Sequence, residues 1–482
     1  MLRWLAGLVL ALLVLFGAMF WEAGRAAPPQ ITIQQPTRIV GQTGSVDVIV
    51  EAPGGRLTSL TMSLEQNGRT IPLFSLEGQQ SATVTQIDRD HIRVSRPVGG
   101  QSVPELRQGA ARVTVAASRQ SFLNLRTLSS SAARDFQVRL EPPRIAIVST
   151  HHYVNHGGSE MVVYRATPPD VASGVRVGDI EYPGFPIRGV RLEPDTTAAE
   201  DRGAGPAGVE LKVAFFALLH DQDLNTRIVA FARDEADNQA TASFIDNVFE
   251  KPFKRSRLEV DDSYMKRVVP EIIQHSPELR MEVPAGDMLP AFLRLNGELR
   301  RINADAIASF TKRTSPTKLW TDPFVPLGNA KVEASFADHR TYFYKGKEVD
   351  QQVHLGFDLA VTEHVPVVAA NDGTVLNASW IGIYGNCVIV DHGMGVQSLY
   401  GHLMSFDVKV GDHVLRGQTI GRSDSTGLAG GDHLHFTMLV GGRMVNPVEW
   451  WDPHWVRDRV ERKLREASGS GDRAETRPRG RI

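Results

Sequence analysis

The sequence predicts a mainly β, multidomain protein with an N-terminal transmembrane helix and a helical connector before its last domain. Three observations support this: a charge-free apolar stretch, short alternating segments separated by Gly, Pro and Asn, and one block with helical spacing. The 482 residues suffice for about three domains. The predicted ranges are 1–27 (membrane anchor or signal segment), 28–142 and 143–250 (β modules), 251–320 (helical connector), 321–452 (all-β domain) and 453–482 (basic tail).

The composition is that of a globular protein and argues against nucleic-acid binding. A hydrophobic content of 42% is typical of a globular chain with cores. The formal net charge of −2 argues against nucleic acid as a partner. The single cysteine, Cys387, cannot form an internal disulfide, and its place on a predicted strand indicates a small buried hydrophobe.

The N-terminus predicts the compartment. Residues 4–21 carry no charge and are rich in Leu, Val and Ala, so we expect them to cross the inner membrane once. Arg3 precedes this stretch, which predicts a cytoplasmic N-terminus and leaves the bulk of the chain in the periplasm. The alternative is a cleaved signal peptide, which also sends the remainder across the membrane.

Two β modules are predicted next. Segments such as Ser45–Val50 and Ala111–Ala116 alternate in polarity between turn residues, and this pattern predicts a β-sandwich over 28–142. The second module, 143–250, ends in strands around Arg227–Asn238 that resemble the final hairpin of bacterial immunoglobulin-like domains.

The connector has a different periodicity. Tyr264, Val268 and Ile272 recur at helical spacing, and the prolines Pro270, Pro277 and Pro284 are expected to divide the block into separate helices.

The candidate chemistry lies near the C-terminus, in the pattern His354-x-x-x-Asp358, His402 and His433-x-His435. A catalytic zinc ion takes three protein ligands and keeps one open position. Five such groups are enough for a three-ligand metal and two further histidines. On a strand, the spacing of two between His433 and His435 directs both imidazoles to the same side.

The surrounding motifs resemble the lysostaphin-type, or LytM-like, zinc endopeptidases between Gln352 and Trp451. The matching segments are His354–Asp358, Pro366–Val375, Tyr384–Gly393, Leu399–Leu403, Val410–Gly421 and His433–Phe436. The resemblance implies an all-β LytM-type peptidase domain that binds one Zn²⁺. It also implies that His354, Asp358 and His435 are the metal ligands and that His402 and His433 are catalytic.

The resemblance further implies a zinc metalloendopeptidase that hydrolyses peptide cross-links of bacterial peptidoglycan with a metal-activated water. With the predicted inner-membrane anchor, D-alanyl–diaminopimelate bridges are the expected substrate. One alternative is a non-catalytic LytM-like regulator that activates a cell-wall amidase, although such relatives lack several ligands. Another is a peptidase for a secreted protein. A regulatory protein partner and a connector that covers the groove and keeps the enzyme latent are further hypotheses.

The tail begins with an amphipathic helical stretch, Val456–Leu464, and continues into a Ser/Gly-rich and then Arg-rich segment. This composition predicts disorder over 453–482.

Overall fold

The computed structural model describes residues 2–23, 27–53, 56–78, 82–121, 126–187 and 210–467. The chain divides into two compact units, residues 1–143 with 233–239 and residues 144–232 with 240–482. Most regular structure is strand, which confirms the mainly β prediction.

The N-terminal segment is the helix α1 (Leu2–Ala23). Among the described residues, no helix has both the length and the apolar character needed to cross a membrane. The predicted transmembrane anchor at residues 4–21 is therefore not supported. The predicted stretch is at the short end for this role, because a hydrocarbon core of about 30 Å requires about 20 apolar residues.

The first unit consists of two sheets that share one core. One sheet has the strand order β1-β3-β7-β6 and the other β2-β9-β8-β4-β5. Val48 and Val94 of the first sheet and Leu60 and Val113 of the second are fully buried in the same cluster. The strands are β1 (Gln30–Gln35), β2 (Ile39–Val40), β3 (Ser45–Glu51), β4 (Leu57–Gln66), β5 (Arg69–Ser75), β6 (Thr83–Gln86), β7 (His91–Pro97), β8 (Gly109–Gln120) and β9 (Thr127–Val138).

The second unit begins at residue 144 with the segment whose final hairpin is predicted to resemble immunoglobulin-like domains. Its strands form the sheets β10-β12-β16-β15 and β14-β13-β17-β18 and the parallel pair β11-β19. They are β10 (Arg144–Ile147), β11 (Tyr153–Asn155), β12 (Ser159–Thr167), β13 (Ala172–Val177), β14 (Ile180–Pro183), β15 (Phe185–Pro186), β16 (Glu210–Ala217), β17 (Ile228–Arg233), β18 (Gln239–Ala242) and β19 (Asn247–Phe249).

The connector starts as a strand and then becomes helical. The elements are β20 (Arg255–Val260), α2 (Asp262–His275), a 3-10 turn (Pro277–Leu279), α3 (Leu289–Arg294), a π-helical turn (Leu295–Leu299), α4 (Arg300–Ser309) and a second 3-10 turn (Phe310–Arg313). The Asp261 carboxylate accepts from the N–H of Tyr264 and caps α2. Pro270 lies inside α2, so the break predicted there is wrong.

The C-terminal domain is dominated by a ten-stranded sheet. In its central part β24, β31, β28 and β27 are neighbours. Its strands are β21 (Lys331–Ala334), β24 (Phe357–Ala360), β25 (Pro366–Val368), β26 (Gly373–Trp380), β27 (Asn386–Gly393), β28 (Val396–Phe406), β29 (His413–Val414), β30 (Thr419–Ser423), β31 (Leu434–Val440) and β32 (Arg443–Val445). The strands β22 (Asp338–Tyr344) and β23 (Lys347–His354) lie outside this sheet. Cys387 is buried on β27, as predicted.

The connector and this domain share a further sheet of order β20-β22-β23. Strand β20 runs parallel to β22, with Ser256 opposite Arg340. Fully buried Val268 and Phe292 of the connector belong to the same core as Val388 and Leu399 of the C-terminal domain. The connector is thus packed into the peptidase-like domain and does not act as a loose spacer.

The predicted disorder of the tail is wrong for its first part. Residues 453–467 form α6 (Pro453–Trp455), a π-helical turn (Val456–Glu461) and α7 (Arg462–Ala467), after the short helix α5 (Val448–Trp451). Val456, Val460 and Leu464 are buried in the core of the second unit, because the amphipathic face finds an apolar partner there. The basic remainder, 468–482, lies outside the described residues.

Candidate functional site

Strand pairing brings together residues that are far apart in the sequence. Asp358 on β24 lies opposite His435 on β31. On the other side of β31, Gly401 of β28 pairs with His435. His402, the next residue of β28, is therefore also close to His435. His354 is the last residue of β23. A Cβ atom at Gly356 would lie 2.5 Å from Nε2 of His435, so only glycine allows β24 to approach this closely.

Three predicted ligands form a small triangle of donor atoms. Nε2 of His354 lies 2.9 Å from Oδ1 of Asp358 and 3.1 Å from Nδ1 of His435. Nδ1 of His435 lies 3.1 Å from the same Asp358 oxygen. Zinc–ligand bonds of roughly 2.0–2.1 Å in a tetrahedral site would separate the donors by about 3.3 Å, close to this spacing.

Backbone carbonyls orient three of the histidines. The Nδ1 atoms lie 3.2 Å (His354 to Ser335 O), 2.7 Å (His402 to Thr426 O) and 2.8 Å (His433 to Gly431 O) from their acceptors. A carbonyl can only accept, so each Nδ1 carries the donated proton. In the neutral rings Nε2 therefore keeps a lone pair, and this arrangement is typical of metal-site histidines.

The chemistry of this donor set fits a divalent metal ion. A neutral His354 directs the Nε2 lone pair at a carboxylate oxygen and at a second imidazole nitrogen, and no proton of its own remains to bridge them. Nε2 of His435 is buried without a hydrogen-bond partner, and a proton on this atom leaves the Nδ1 lone pair facing the triangle. Three converging lone pairs are stabilised by a cation, and two imidazoles with one carboxylate suit zinc.

Two further histidines lie next to the triangle. The rings of His402 and His433 have centroids 4.8 Å apart, and Nε2 of His433 lies 3.4 Å from Oδ1 of Asp358. His402 has a φ of 60°, a left-handed conformation that costs energy for a residue with a side chain. All five predicted side chains thus lie in one cluster, although their individual roles remain predictions.

The environment separates the charge states of these groups. Burial acts to raise the pKa of Asp358, but the surrounding imidazoles, His354 foremost, hold that pKa well below its ordinary value. Burial keeps the pKa of His402 well below its usual range, and the nearby His433 and His435 lower it further. The cluster therefore combines an ionised carboxylate with a neutral His402 at pH 7.

The site opens into a cavity of about 300 Å³. The walls include residues from the connector as well as the peptidase-like domain: Leu258, Glu259, Val260, Asp261, Tyr264, Arg300, Arg340, Tyr342, His354, Asp358, Ile383, Tyr384, His402, Leu428, Gly430, His433 and His435. Sequence analysis did not select Arg300, Arg340 or Tyr384 as site residues. Tyr384 stands in the matching segment Tyr384–Gly393, whereas Arg300 lies in the connector and is brought to the site by helix packing.

Residues 352–447 match Peptidase family M23, so this part of the chain is an M23 peptidase domain. The chain is 30% identical over 166 residues to the peptidoglycan DD-endopeptidase ShyA of Vibrio cholerae, covering 34% of this chain and 35% of ShyA. It is 40% identical over 95 residues to the murein hydrolase activator EnvC of Escherichia coli, covering 20% and 23% of the two chains. The solved catalytic domain of lysostaphin from Staphylococcus simulans is 30% identical with a TM-score of 0.23, covering 26% of this chain and 94% of that domain.

The chain spans about a quarter to a third of the length of the curated relatives it matches. The family match at residues 352–447 confirms the predicted resemblance to peptidases of this type in the C-terminal region.

Proposed function

We propose that this protein is a zinc-dependent endopeptidase that hydrolyses peptide cross-links of bacterial peptidoglycan. The single observation that supports this most strongly is the convergence of His354, Asp358 and His435 beside two non-ligand histidines. A metal-dependent hydrolase uses both metal ligands and proton-transfer groups, and here both kinds of residue line one cavity.

Bound zinc would supply Lewis acidity and a lowered pKa for the hydrolytic water. The protein's own groups hold and move protons. Nδ1 of His433 is committed to Gly431, so Nε2 is the atom placed to accept a proton from the water. Nδ1 of His402 is committed to Thr426, so Nε2 is the atom available to contact the developing oxyanion or the leaving amine.

The expected substrate is the D-alanyl–diaminopimelate bridge. Similarity to a protein named as a peptidoglycan DD-endopeptidase supports this choice. We propose that the protein acts outside the cytoplasm, where this polymer lies. Protease accessibility of the protein in spheroplasts would test this location, and protection of the whole chain would contradict it.

The proposed activity is tested with the full-length protein on purified sacculi. Muropeptide monomers should appear with zinc and disappear with a chelator, and His354→Ala and His433→Ala should abolish release. His413→Ala is the matched control, because His413 is exposed and lies outside the cluster. Absence of release from a folded, zinc-loaded protein would contradict the proposal.

A second candidate is a regulator of a cell-wall amidase, favoured by the 40% identity to a murein hydrolase activator. The two functions are separated by adding a purified amidase to the same sacculi. A regulator would increase the amount of amidase products even as the His433→Ala variant. An endopeptidase would instead release muropeptides without any added amidase. A peptidase for a secreted protein would leave sacculi intact and cleave an exported polypeptide.

A further inference from the structure

One cavity residue, Arg300, is a cation that is held in place by an amide and pairs with none of the described carboxylates. Arg300 begins α4, is partly buried and lines the same cavity as the metal triangle. Its Nε donates to the carbonyl of Asn296 at 3.0 Å, and its Nη2 donates to the Asn296 side-chain oxygen at 2.7 Å. Asn296 is fully buried and donates in turn to Asp350 at 2.8 Å. The guanidinium is therefore oriented by a fixed amide.

The second arginine of the cavity, Arg340, has the carboxylate partners that Arg300 lacks among the described residues. Nη2 of Arg340 lies 3.0 Å from Oδ2 of Asp358, and Nε lies 3.5 Å from Asp338, so its charge is compensated. In the described part of the chain, no carboxylate lies within 4.0 Å of the Arg300 guanidinium. A partly buried charge without a counter-charge is unfavourable, and an anionic ligand would remove that penalty.

Besides Asp358, the cavity wall contains two carboxylates, and both have other partners. Glu259 pairs with Arg257 at 2.8 Å, and Asp261 caps the N-terminus of α2. Neither of them forms an ion pair with Arg300. The guanidinium lines the cavity, where an anionic ligand can reach it.

The remaining donors of Arg300 suit a carboxylate. Nε and one N–H of Nη2 are used by Asn296. A guanidinium has five N–H donors, so the pair of N–H groups at the end of the fork, on Nη1 and Nη2, stays available for two parallel hydrogen bonds. A carboxylate accepts such a pair, whereas a neutral amide offers one oxygen and two competing donors.

We propose that Arg300 binds a carboxylate of the substrate beside the scissile amide, an inference that rests on the proposed function. In a D-alanyl–diaminopimelate bridge, the carbon that carries the scissile nitrogen also carries a free carboxylate. Binding of this group by Arg300 would orient the amide towards the metal triangle and the Nε2 atoms of His402 and His433. The helical connector is then part of the substrate site, and it selects free over amidated bridges.

The test uses two cross-linked muropeptide dimers that differ only in this group, one with the carboxylate and one with the primary amide. The full-length zinc-loaded protein is compared with Arg300→Gln and with Arg301→Gln, an exposed neighbour on the same helix. Wild-type protein should prefer the carboxylate dimer. Arg300→Gln should lower kcat/KM for the carboxylate dimer by about 10- to 100-fold, the magnitude of a charge-assisted contact, and leave the amide dimer unchanged. Arg301→Gln should change neither.

A binding measurement separates this inference from the proposed function. Calorimetric titration of both dimers into zinc-loaded His433→Ala protein, with and without Arg300→Gln, reports recognition without turnover. If wild-type protein cuts neither dimer, the proposed function fails. The subsite would still be supported if the protein bound the carboxylate dimer preferentially and lost this preference in Arg300→Gln. Equal binding of both dimers, or an equal effect of Arg300→Gln on both, would overturn it. Faster cleavage of both by Arg300→Gln would also overturn it, and would identify Arg300 as part of an occluding wall.

Discussion

Nη2 of Arg340 donates to Oδ2 of Asp358 at 3.0 Å, while Oδ1 of the same carboxylate faces His354 and His435. The two oxygens of Asp358 thus have separate tasks, one towards the metal position and one towards a guanidinium. Nε of Arg340 also lies 3.5 Å from Oδ2 of buried Asp338, which forms a second ion pair with this guanidinium. The carboxylate is therefore oriented before any metal binds.

Replacement of Arg340 by Gln should weaken zinc binding by about 10- to 100-fold, because residues that orient metal ligands contribute this much to affinity. Competition with a fluorescent chelator would measure the change. Arg257→Gln is the control, since Arg257 lies on the neighbouring strand β20 and pairs with Glu259 instead. An unchanged affinity in a folded Arg340→Gln protein would refute the orienting role.

His402→Ala should separate metal binding from catalysis. Because His402 is outside the donor triangle, the variant should retain one zinc per chain, measured by plasma mass spectrometry. Release of muropeptides should fall about a hundredfold to ten-thousandfold, the usual contribution of a proton-transfer group. His354→Ala should lose both zinc and activity. Loss of zinc from His402→Ala would assign that residue to the ligand set instead.

Lys463→Met should destabilise the second unit. Nζ of Lys463 lies 2.8 Å from Oε1 of Glu160, and their side chains are 1% and 0% exposed. Burial raises the pKa of Glu160 and lowers that of Lys463, so both ions are sensitive to loss of their partner. Lys463→Met leaves buried Glu160 with only the more distant Arg459, 3.9 Å away, and should lower the free energy of unfolding by about 3–5 kcal/mol in urea titrations.

Two comparisons make the Lys463 result specific. Arg465→Met, on the half-exposed face of the same helix, should change stability by about 0.5 kcal/mol or less. The double variant Glu160→Leu with Lys463→Met should recover much of the loss, because no unpaired charge remains. A double variant as unstable as Lys463→Met would point to packing instead of charge.

Glu449 should make stability depend on pH. Its carboxyl is buried and accepts from Asn155 and from the N–H of Ser159, both at 2.7 Å. Burial is the main cause that raises its pKa from 4.5 to about 7. Between these values the folded state holds a proton that the unfolded state has lost, so the contribution of Glu449 to stability falls as pH rises.

Over pH 4.5 to 7 this loss should be about 3 kcal/mol. The glutamine side chain of the Glu449→Gln variant does not titrate, so this variant should not lose that contribution. The free energy of unfolding of Glu449→Gln should therefore increase relative to that of wild type as the pH rises from 4.5 to about 7. Urea unfolding at several pH values would show it, with exposed Glu363→Gln as control. Parallel curves for wild type and Glu449→Gln would exclude the effect.

The local motifs of the C-terminal domain predicted most of the candidate site. His354, Asp358, His402 and His435 stand on strands whose character is encoded locally, and His433 directly precedes β31 in an isolated bridge to Asp424. Gly356 shows the same principle, since its missing side chain leaves the space that the His435 ring occupies. Local periodicity also predicted α2, whose buried face carries Val268 and Ile272.

The errors arose where burial decides the outcome. Pro270 was expected to end a helix, yet α2 continues through it within a packed core. Disorder was expected from residue 453, yet Lys463 finds Glu160 about three hundred residues earlier in the chain. Composition alone cannot report such partners, because the free energy of a charged or apolar face depends on what covers it.

By itself, the sequence determined the mainly β class, the M23-like motifs and the set of five candidate side chains. Only the tertiary structure decided that Arg340 orients Asp358, that Arg300 faces the same cavity without a counter-charge, and that the connector forms a wall of the site. The physical reason is that these contacts join residues far apart in the sequence. Ligand spacing within a strand follows from backbone geometry, whereas contacts between strands and helices follow from how all the apolar faces are buried together.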